Sequence, residues 1–309
     1  MMSSILVSGL VNIETNIQVE AFPINYTPIH YSFFGIQQNP AGVGLNLAFA
    51  LHQLGDDVRL LSLVGQDAAG STIRQTVEQH GLDSRYLLPE LRESAQSAIL
   101  YDADGRRQIH CDLKDIQDRT YPTEMFRQSV ADCGWVCLCN INFSRALLPL
   151  AKELGKRIAT DVQVLSDLYD PYNADFMRHA DVLFLSDSSL PEAPETFVQK
   201  LAGIYGNDII VVGLGGEGAL LYVKADQFMG RFPAIYTRPV VNTVGAGDAL
   251  FAAFVHFYAQ SGNPYESLKK AMLFASYKIG VSGAAQGFLT EPELEAWYAK
   301  LPKGEEQHG

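Results

Sequence analysis

Basic residues are scarce in this sequence. Among its 309 residues, 23 are lysine or arginine and 35 are aspartate or glutamate, so the net charge is −12 at pH 7. Nucleic acids and membrane surfaces are anionic and would repel such a chain, so we expect neither as a partner. No apolar run approaches the roughly 18 residues of a membrane helix, and no basic segment opens the chain as in a signal peptide. The sequence predicts a cytoplasmic protein, and its charge stays compatible with a small anionic ligand.

Cysteine is also rare, with four residues at Cys111, Cys133, Cys137 and Cys139. Disulfide frameworks are typical of smaller, cysteine-dense chains, and the paired C-x2-C spacing of a zinc site is missing. Cys137 and Cys139 lie two residues apart in the apolar segment WVCLCNI, so in a strand they share one face. The pattern predicts buried thiols in a reducing compartment.

Two common nucleotide-binding motifs are missing or out of place. The chain has no G-x4-G-K-[ST] phosphate loop, so a P-loop ATPase is unsupported. Residues Gly213–Gly218 match the dinucleotide pattern G-x-G-x-x-G, but the strand-like segment ALLYV follows where that pattern requires a helix. The segment predicts a glycine-rich β-hairpin that can run close to a nucleotide, and a nicotinamide-dependent enzyme is the weakest alternative.

Strands and helices alternate along the rest of the chain. The short apolar segments WVCLCNI, RIATDV, DVLFL and DIIVVGL are separated by helical stretches, as in a mostly parallel sheet with helices on both faces. We predict an α/β fold with one large domain over residues 1–302, followed by a frayed tail over residues 303–309. The other predicted elements are a first strand ILVSGLVNIE, strands at 58–64 and 235–237, a hairpin at 95–112, and helices at 43–54, 68–79, 248–260 and 265 to about 281.

The segment Asn242–Asp248, NTVGAGD, carries the strongest chemical signal, because an apolar helix follows it. Small residues before a buried helix leave backbone N–H groups free at the positive end of the helix dipole, where an anion can bind. The carboxylate of Asp248 could take a proton from a hydroxyl group while those N–H groups hold a phosphoryl group. It could equally cap the helix, and the spacing alone leaves both interpretations open.

Polar residues nearer the N-terminus could form the second half of a site. The glycines of AGVGLN allow a ligand to approach the first long helix, where Asn46 carries both a donor and an acceptor for hydroxyl groups. Asn12 and Glu14 lie two apart in the first strand and share one face. A plain turn and a solvent-facing pair explain these residues equally well.

Taken in order along nearly the whole chain, these segments resemble the ribokinase-like (phosphofructokinase-B type) carbohydrate kinase family. The segment NTVGAGDALFAAF is similar to the D-T-x-G-A-G-D signature, which is the most specific match. The other similar segments are Asn12–Glu14 (N-x-D), GVGLNLAFALHQLG (G-G-x-x-x-N-x-A…L-G), GQDAAG (G-x-D-x-x-G), GLGGEGALLY (T-L-G-x-x-G-A) and FASYKIGVSGA, which looks like the helix beside the adenine.

The resemblance implies ATP-dependent phosphoryl transfer to a primary alcohol of a sugar or nucleoside. It implies that Asp248 is the general base and that the backbone of Gly245, Ala246 and Gly247 forms the anion hole. The implied substrate-binding residues are Asn12, Glu14, Gly42 and Asn46. The implied ATP-binding residues are Gly215, Gly218, Thr243 and Ser276.

The family resemblance also implies Mg²⁺ with the ATP, and a monovalent cation could take part. It implies a small β-sheet lid, formed from strands within about 12–40 and 95–112, which closes over the sugar and excludes water. Lid strands could also pair across a homodimer.

The sequence departs from the family pattern at several positions. Asn242 replaces the first aspartate of the signature, and Glu14 replaces an aspartate that is one methylene shorter. Ser186 and Ser189 stand where the family has the Asn and Glu of an N-x-x-E motif, whose glutamate helps to organise magnesium. Two other carboxylates, Asp187 and Asp161, could contribute to the metal site instead.

Three functions remain open at this stage. An active small-molecule kinase is favoured because Asp248 and its glycines are intact, with a sugar acceptor ahead of a nucleoside. A nucleoside would need an apolar wall for its base, which Phe33, Phe34 or Tyr101 in the predicted lid could supply. A catalytically weakened relative that binds nucleotide or sugar would explain the missing N-x-x-E motif. The nicotinamide enzyme is the third.

Overall fold

A computed structural model describes residues 4–301 of the chain. The strands are β1 (Ser4–Ser8), β2 (Asn12–Gln18), β3 (Ile36–Ala41), β4 (Asp57–Gly65), β5 (Leu87–Leu91), β6 (Gln96–Tyr101), β7 (Arg107–Asp112), β8 (Trp135–Leu138), β9 (Arg157–Val164), β10 (Val182–Ser186), β11 (Ile209–Gly213), β12 (Gly218–Val223) and β13 (Phe228–Pro233). The helices are α1 (Val43–Leu54), α2 (Ala68–Gln79), α3 (Thr123–Val130), α4 (Asn142–Arg145), α5 (Leu147–Glu153), α6 (Ala174–His179), α7 (Pro194–Tyr205), α8 (Ala246–Ser261), α9 (Pro264–Lys278) and α10 (Glu291–Tyr298).

The strands form two sheets. The large sheet has nine strands in the order β13-β12-β11-β10-β9-β8-β1-β4-β5, and the small sheet has four in the order β3-β2-β6-β7. All neighbours in the large sheet are parallel except β12 and β13, which return antiparallel after β11. This architecture confirms the predicted ribokinase-like α/β fold with a mostly parallel sheet and a separate small sheet.

Helices cover both faces of the large sheet because the strands are apolar on both sides. Along β1, Ile5 and Val7 join the core under α1, α8 and α9, whereas Leu6 joins the core under α3, α5 and α7. The alternation follows from the two-residue period of a strand. Within residues 4–301, no helix combines the length and the apolar character that crossing a bilayer requires.

The bounds of α1 and α2 agree with the predicted helices. Gly55 ends α1 in the left-handed conformation, with φ 101°. Asp67 caps α2: its carboxylate accepts hydrogen bonds from the Gly70 amide at 2.8 Å, the Ser94 amide at 2.9 Å and the Ser94 hydroxyl at 2.7 Å. A Cβ on Gly70 would lie 2.1 Å from the carbonyl oxygen of Gly65. The GQDAAG segment therefore has a structural role, which is to join β4, α2 and the chain before β6.

Three predicted elements differ from the structure. The predicted first strand is two strands in different sheets, because the chain crosses at Gly9, where a Cβ would lie 2.9 Å from the Cα of Gly44. The strand predicted at 235–237 is wrong: β13 lies earlier because it pairs with β12. The predicted last helix ends at Lys278, because the amides of Gly280 and Val281 donate to carbonyls three residues back, not four.

The small sheet contains the hairpin predicted at 95–112, which is formed by β6 and β7. The connection between β2 and β3 has little regular structure and exposes apolar side chains, namely Ile24, Tyr26, Ile29, Tyr31, Phe33 and Phe34. The predicted tail at 303–309 lies outside the described residues. Cys133, Cys137 and Cys139 are buried free thiols, as predicted, whereas Cys111 is exposed on β7.

Candidate active site

The segment before α8 forms a tight turn. Its first residue, Asn242, accepts a hydrogen bond at Oδ1 from the amide of Val244 at 2.8 Å, which closes the turn locally. Gly245 is the N-cap in the left-handed conformation, with φ 76°, and a Cβ there would lie 2.6 Å from the carbonyl oxygen of Ala284. Asparagine thus performs at 242 the turn-closing role that an aspartate could perform.

The first turn of α8 leaves backbone donors free. The amide of Ala246 donates to the Thr243 carbonyl at 3.2 Å. Between residues 4 and 301, the amides of Gly247 and Asp248 have no acceptor in the protein. Gly247 is exposed, and a Cβ added there would meet open space. The turn can therefore bind an anion against free N–H groups at the positive end of a 16-residue helix.

The carboxylate of Asp248 lies beside these donors, and a side chain on another helix holds it by a hydrogen bond. The amide nitrogen Nδ2 of Asn46, in the first turn of α1, donates to Oδ2 of Asp248 at 2.6 Å. Burial raises the pKa of Asp248, while this hydrogen bond and the charge of Lys278 lower it. Asn46 thus fixes the carboxylate in one orientation, which suits a proton acceptor at a defined position.

The strand β2 of the small sheet brings the other predicted residues to the same place. Asn12 is buried, and its Nδ2 donates to the Ser97 hydroxyl on β6 at 2.8 Å. Burial and, to a smaller extent, the nearby charge of Asp248 raise the pKa of Glu14 to about 7, against the opposing charge of Lys278. Two buried acceptors, Oδ1 of Asn12 and Oδ1 of Asn46, have no hydrogen-bond partner among residues 4–301. Glu14, Asn46 and Asp248 therefore lie in one cluster, and Asn12 lies near it, with its Oδ1 next to Gly42 before α1.

Lys278 also belongs to this cluster, although it was not predicted from the sequence. It is the last residue of α9, is fully buried, and donates from Nζ to the carbonyl of Val244. Burial lowers the pKa of Lys278 to about 8. A signal was present in the sequence: Lys278 follows Ala271 and Phe274 at helical spacing, on the buried face of the helix.

The glycines at the start of α1 have a structural role. A Cβ on Gly42 would lie 2.6 Å from the carbonyl of Leu10, and one on Gly44 would lie 2.7 Å from the backbone of Gly9. They therefore let the chain between β1 and β2 pass close to the start of α1. Contact between Gly42 and substrate stays a prediction.

The residues predicted to border ATP lie around the hairpin and the end of α9. Gly215 is left-handed with open space around it, whereas a Cβ on Gly218 would lie 2.0 Å from the carbonyl of Phe232. Gly218 is thus required by the packing of β12 on β13. The hydroxyl of Ser276 is already bonded to Thr237, whose amide donates to it at 3.0 Å. Thr243 is exposed at the turn before α8.

The carboxylates near the site fit a magnesium ion that arrives with phosphates. Mg²⁺ usually takes one or two carboxylates and otherwise binds phosphate oxygens and waters. Among the described residues, no group of three or more His, Cys, Asp or Glu could hold a metal by itself. Burial and, to a smaller extent, the charge of Asp248 raise the pKa of Asp161, on β9, to about 6. Asp161 is therefore one available carboxylate, and Asp187 follows β10, the neighbour of β9 in the sheet.

The chain is similar in sequence and in fold to known proteins. The model of the pfkB family carbohydrate kinase matches residues 2–291. Acarbose 7(IV)-phosphotransferase of Actinoplanes sp. is 23% identical over 295 residues, covering 94% of this chain and 97% of that protein. A microbiome-derived acarbose kinase has a TM-score of 0.88 at 23% identity, with 97% of this chain and 100% of that chain covered. Arabidopsis thaliana ribokinase, solved with ribose and ATP, has a TM-score of 0.78 at 20% identity, with 96% and 98% covered.

Proposed function

Because the chain belongs to the PfkB family of carbohydrate kinases, and is thus a phosphotransferase with an alcohol group as acceptor, we propose that it transfers the γ-phosphoryl group of ATP to a hydroxymethyl group of a small sugar. The observation that carries this proposal is the carboxylate of Asp248 beside free amides at the start of α8. A base and an anion site within one helical turn are what this reaction requires.

The chemistry follows from these groups. Asp248, oriented by Asn46, accepts the proton of the hydroxymethyl group as its oxygen attacks phosphorus. The amides of the turn donate to the oxygens of the migrating phosphoryl group. Magnesium, when bound with ATP, would neutralise charge on the phosphates, with Asp161 or Asp187 as its protein carboxylate. General-base catalysis is worth roughly 10²–10⁴-fold in rate.

Acceptor recognition is proposed for Asn12, Glu14 and Asn46. The buried oxygens Oδ1 of Asn12 and Asn46 lack donors in the part of the chain that the structure describes. A buried acceptor without a partner is costly, so a hydroxyl that donates to it gains that free energy on binding. The polyol of a sugar offers several such hydroxyls on adjacent carbons. The named substrates of the relatives, acarbose and ribose, are of this class.

A nucleoside acceptor is the second candidate, and one feature favours it. The loop before β3 exposes two aromatic rings, with Phe33 86% and Phe34 99% accessible. Such rings could stack on a base if the small sheet closed over the site. We propose accordingly that this sheet, within residues 12–40 and 95–112, acts as a lid on the domain at 1–302.

The test is turnover with a panel of sugars and nucleosides in Mg·ATP, followed as ADP release. We expect sugars to be phosphorylated, and Asp248→Asn to lose at least roughly 100-fold in kcat while it still binds ATP. Asp208→Asn is the matched control, because Asp208 is exposed just before β11, at the end of the strands opposite to the site. Preference for nucleosides would select the second candidate. ATP binding without any turnover would indicate the weakened relative, and NAD(H) binding instead of ATP would reject the kinase.

A further inference from the structure

The ammonium group of Lys278 is an unusual component of this site. Its side chain is 0% exposed, and its hydrogen-bond acceptor is the carbonyl of Val244, the residue before the N-cap of α8. Fully buried lysines are rare unless they are paired with an acceptor or a carboxylate. The fold therefore retains a cation at the anion-binding turn at a cost in desolvation, which points to a role in the site.

The bond from Lys278 is one of three that tie the end of α9 to this turn. The amides of Val241 and Asn242 donate to the carbonyl of Ile279 at 2.8 and 3.1 Å. Of these three bonds, the one to the Val244 carbonyl lies nearest the free amides, because that carbonyl belongs to the peptide between Val244 and Gly245. A lysine at this point fixes the peptide that precedes the anion hole, and with it the direction of the donors that follow.

The charges around Lys278 come from three other elements. Asp248 on α8 and Glu14 on β2 are the carboxylates close enough to stabilise the ammonium, and Arg107 on β7 is a second cation within range. A phosphoryl group that approaches Asp248 meets a negative charge first. An ammonium fixed beside that carboxylate offsets the repulsion, and it acts in a site of low dielectric constant.

We propose that Lys278 is the resident cation of the phosphoryl-transfer site: it orients the Val244 peptide and so the anion hole, and it offsets the charge of Asp248 and Glu14 as the phosphoryl group arrives. This inference rests on the proposed function. Lys278 is a positioning and electrostatic residue, and Asp248 remains the base.

The test compares Lys278→Met, which keeps the length of the side chain and removes the charge, with Lys270→Met. Lys270 lies on the same helix, with ion pairs to Glu266 and Glu295, away from the turn. We expect Lys278→Met to lose roughly 100-fold in kcat, the effect of one oxyanion-hole donor. We also expect the acid limb of the kcat/KM profile to move up by about one pH unit, because the pKa values of both carboxylates rise without the ammonium.

Lys270→Met should change thermal stability alone. Retention of kcat within threefold by Lys278→Met, or an equal shift of the acid limb in both variants, would overturn the proposal. If Lys278→Met does not fold, Lys278→Gln replaces it and keeps a donor without a charge.

ATP affinity, measured by calorimetry, separates this proposal from the proposed function. If the wild type turns over no acceptor, the proposed function fails. The role of Lys278 is then decided by whether Lys278→Met binds ATP at least tenfold more weakly than Lys270→Met, and equal affinities refute it.

Discussion

Two glycines of the same turn should respond in opposite ways to substitution. Gly245 has φ 76°, and an added Cβ would lie 2.6 Å from the Ala284 carbonyl oxygen. A left-handed conformation costs about 1–2 kcal/mol for a residue with a Cβ, and the backbone must also move. Gly247 has a helical conformation and open space around it, so a side chain there would stand beside the free amides that we propose as the anion hole. Gly245→Ala should therefore lose stability, and Gly247→Val should lose activity.

The expected magnitudes follow from these geometries. Gly245→Ala should cost at least about 1–2 kcal/mol, or roughly 1.5–3 °C in Tm, since about 2.1 cal/mol/K per residue over this chain gives roughly 1.5 °C per kcal/mol. Gly247→Val should stay within about 1 kcal/mol of the wild type, because valine is a somewhat better helix residue than glycine. It should lose at least roughly 100-fold in kcat, as when an oxyanion-hole donor is lost.

Differential scanning calorimetry and ADP-release assays measure the two effects. Gly203→Val is the matched control for Gly247→Val, because Gly203 is also exposed, in α7, with open space at its Cβ, and α7 packs on the other core. It should keep full activity. The reasoning is refuted if Gly247→Val retains more than half of the wild-type kcat, or if it destabilises the protein more than Gly245→Ala does.

Three other predictions can be checked with single variants. Glu14 has a pKa of about 7 in the folded protein, above its usual value, so it destabilises the fold as pH rises through 7; Glu14→Gln should raise Tm at pH 8 more than at pH 5, and a pH-independent difference would contradict this. Asn46→Ala removes the hydrogen bond to the carboxylate of Asp248, so kcat/KM should fall by about 10- to 150-fold, with an unchanged value as the opposing result. Asp67→Ala removes three hydrogen bonds at the start of α2, two of them to Ser94. It should lower the free energy of unfolding, measured by chemical denaturation, by about 2–4 kcal/mol without lowering kcat. A decrease under about 0.5 kcal/mol would contradict the capping role of Asp67.

The fold was predictable where the sequence carries a clear period or cap. The helices at 43–54 and 68–79 have an apolar stripe, a glycine stop or an aspartate cap, and the structure has the same bounds. The last strand was predicted at the wrong place, at 235–237, because the pairing partner β12 decides where that strand lies. The break in the first strand depends on Gly9 passing close to Gly44, which is a contact between distant parts of the chain.

The residues of the candidate site were also predictable only where the signal is local in the sequence. Asp248 stands in a local motif, so its position beside a helix N-terminus could be predicted from spacing. Its hydrogen bond to Asn46 joins residues 202 apart and becomes visible only when α1 and α8 pack together. Lys278 was missed for a related reason: a lysine at the end of a helix usually faces solvent, and only the packing of α9 on the turn buries this one.

The small sheet provides Asn12 and Glu14, whereas the helices of the large sheet provide Asn46, Asp248 and the free amides at the start of α8. An acceptor that satisfies Asn12 and Glu14 would draw the two parts together, so fit to the acceptor and exclusion of water become one event. A compound that reaches Asp248 but leaves the side chains of Asn12 and Glu14 without a partner would keep the small sheet away from the rest of the site and admit solvent. With poor acceptors, water should then hydrolyse ATP, so that ADP forms faster than any phosphorylated product.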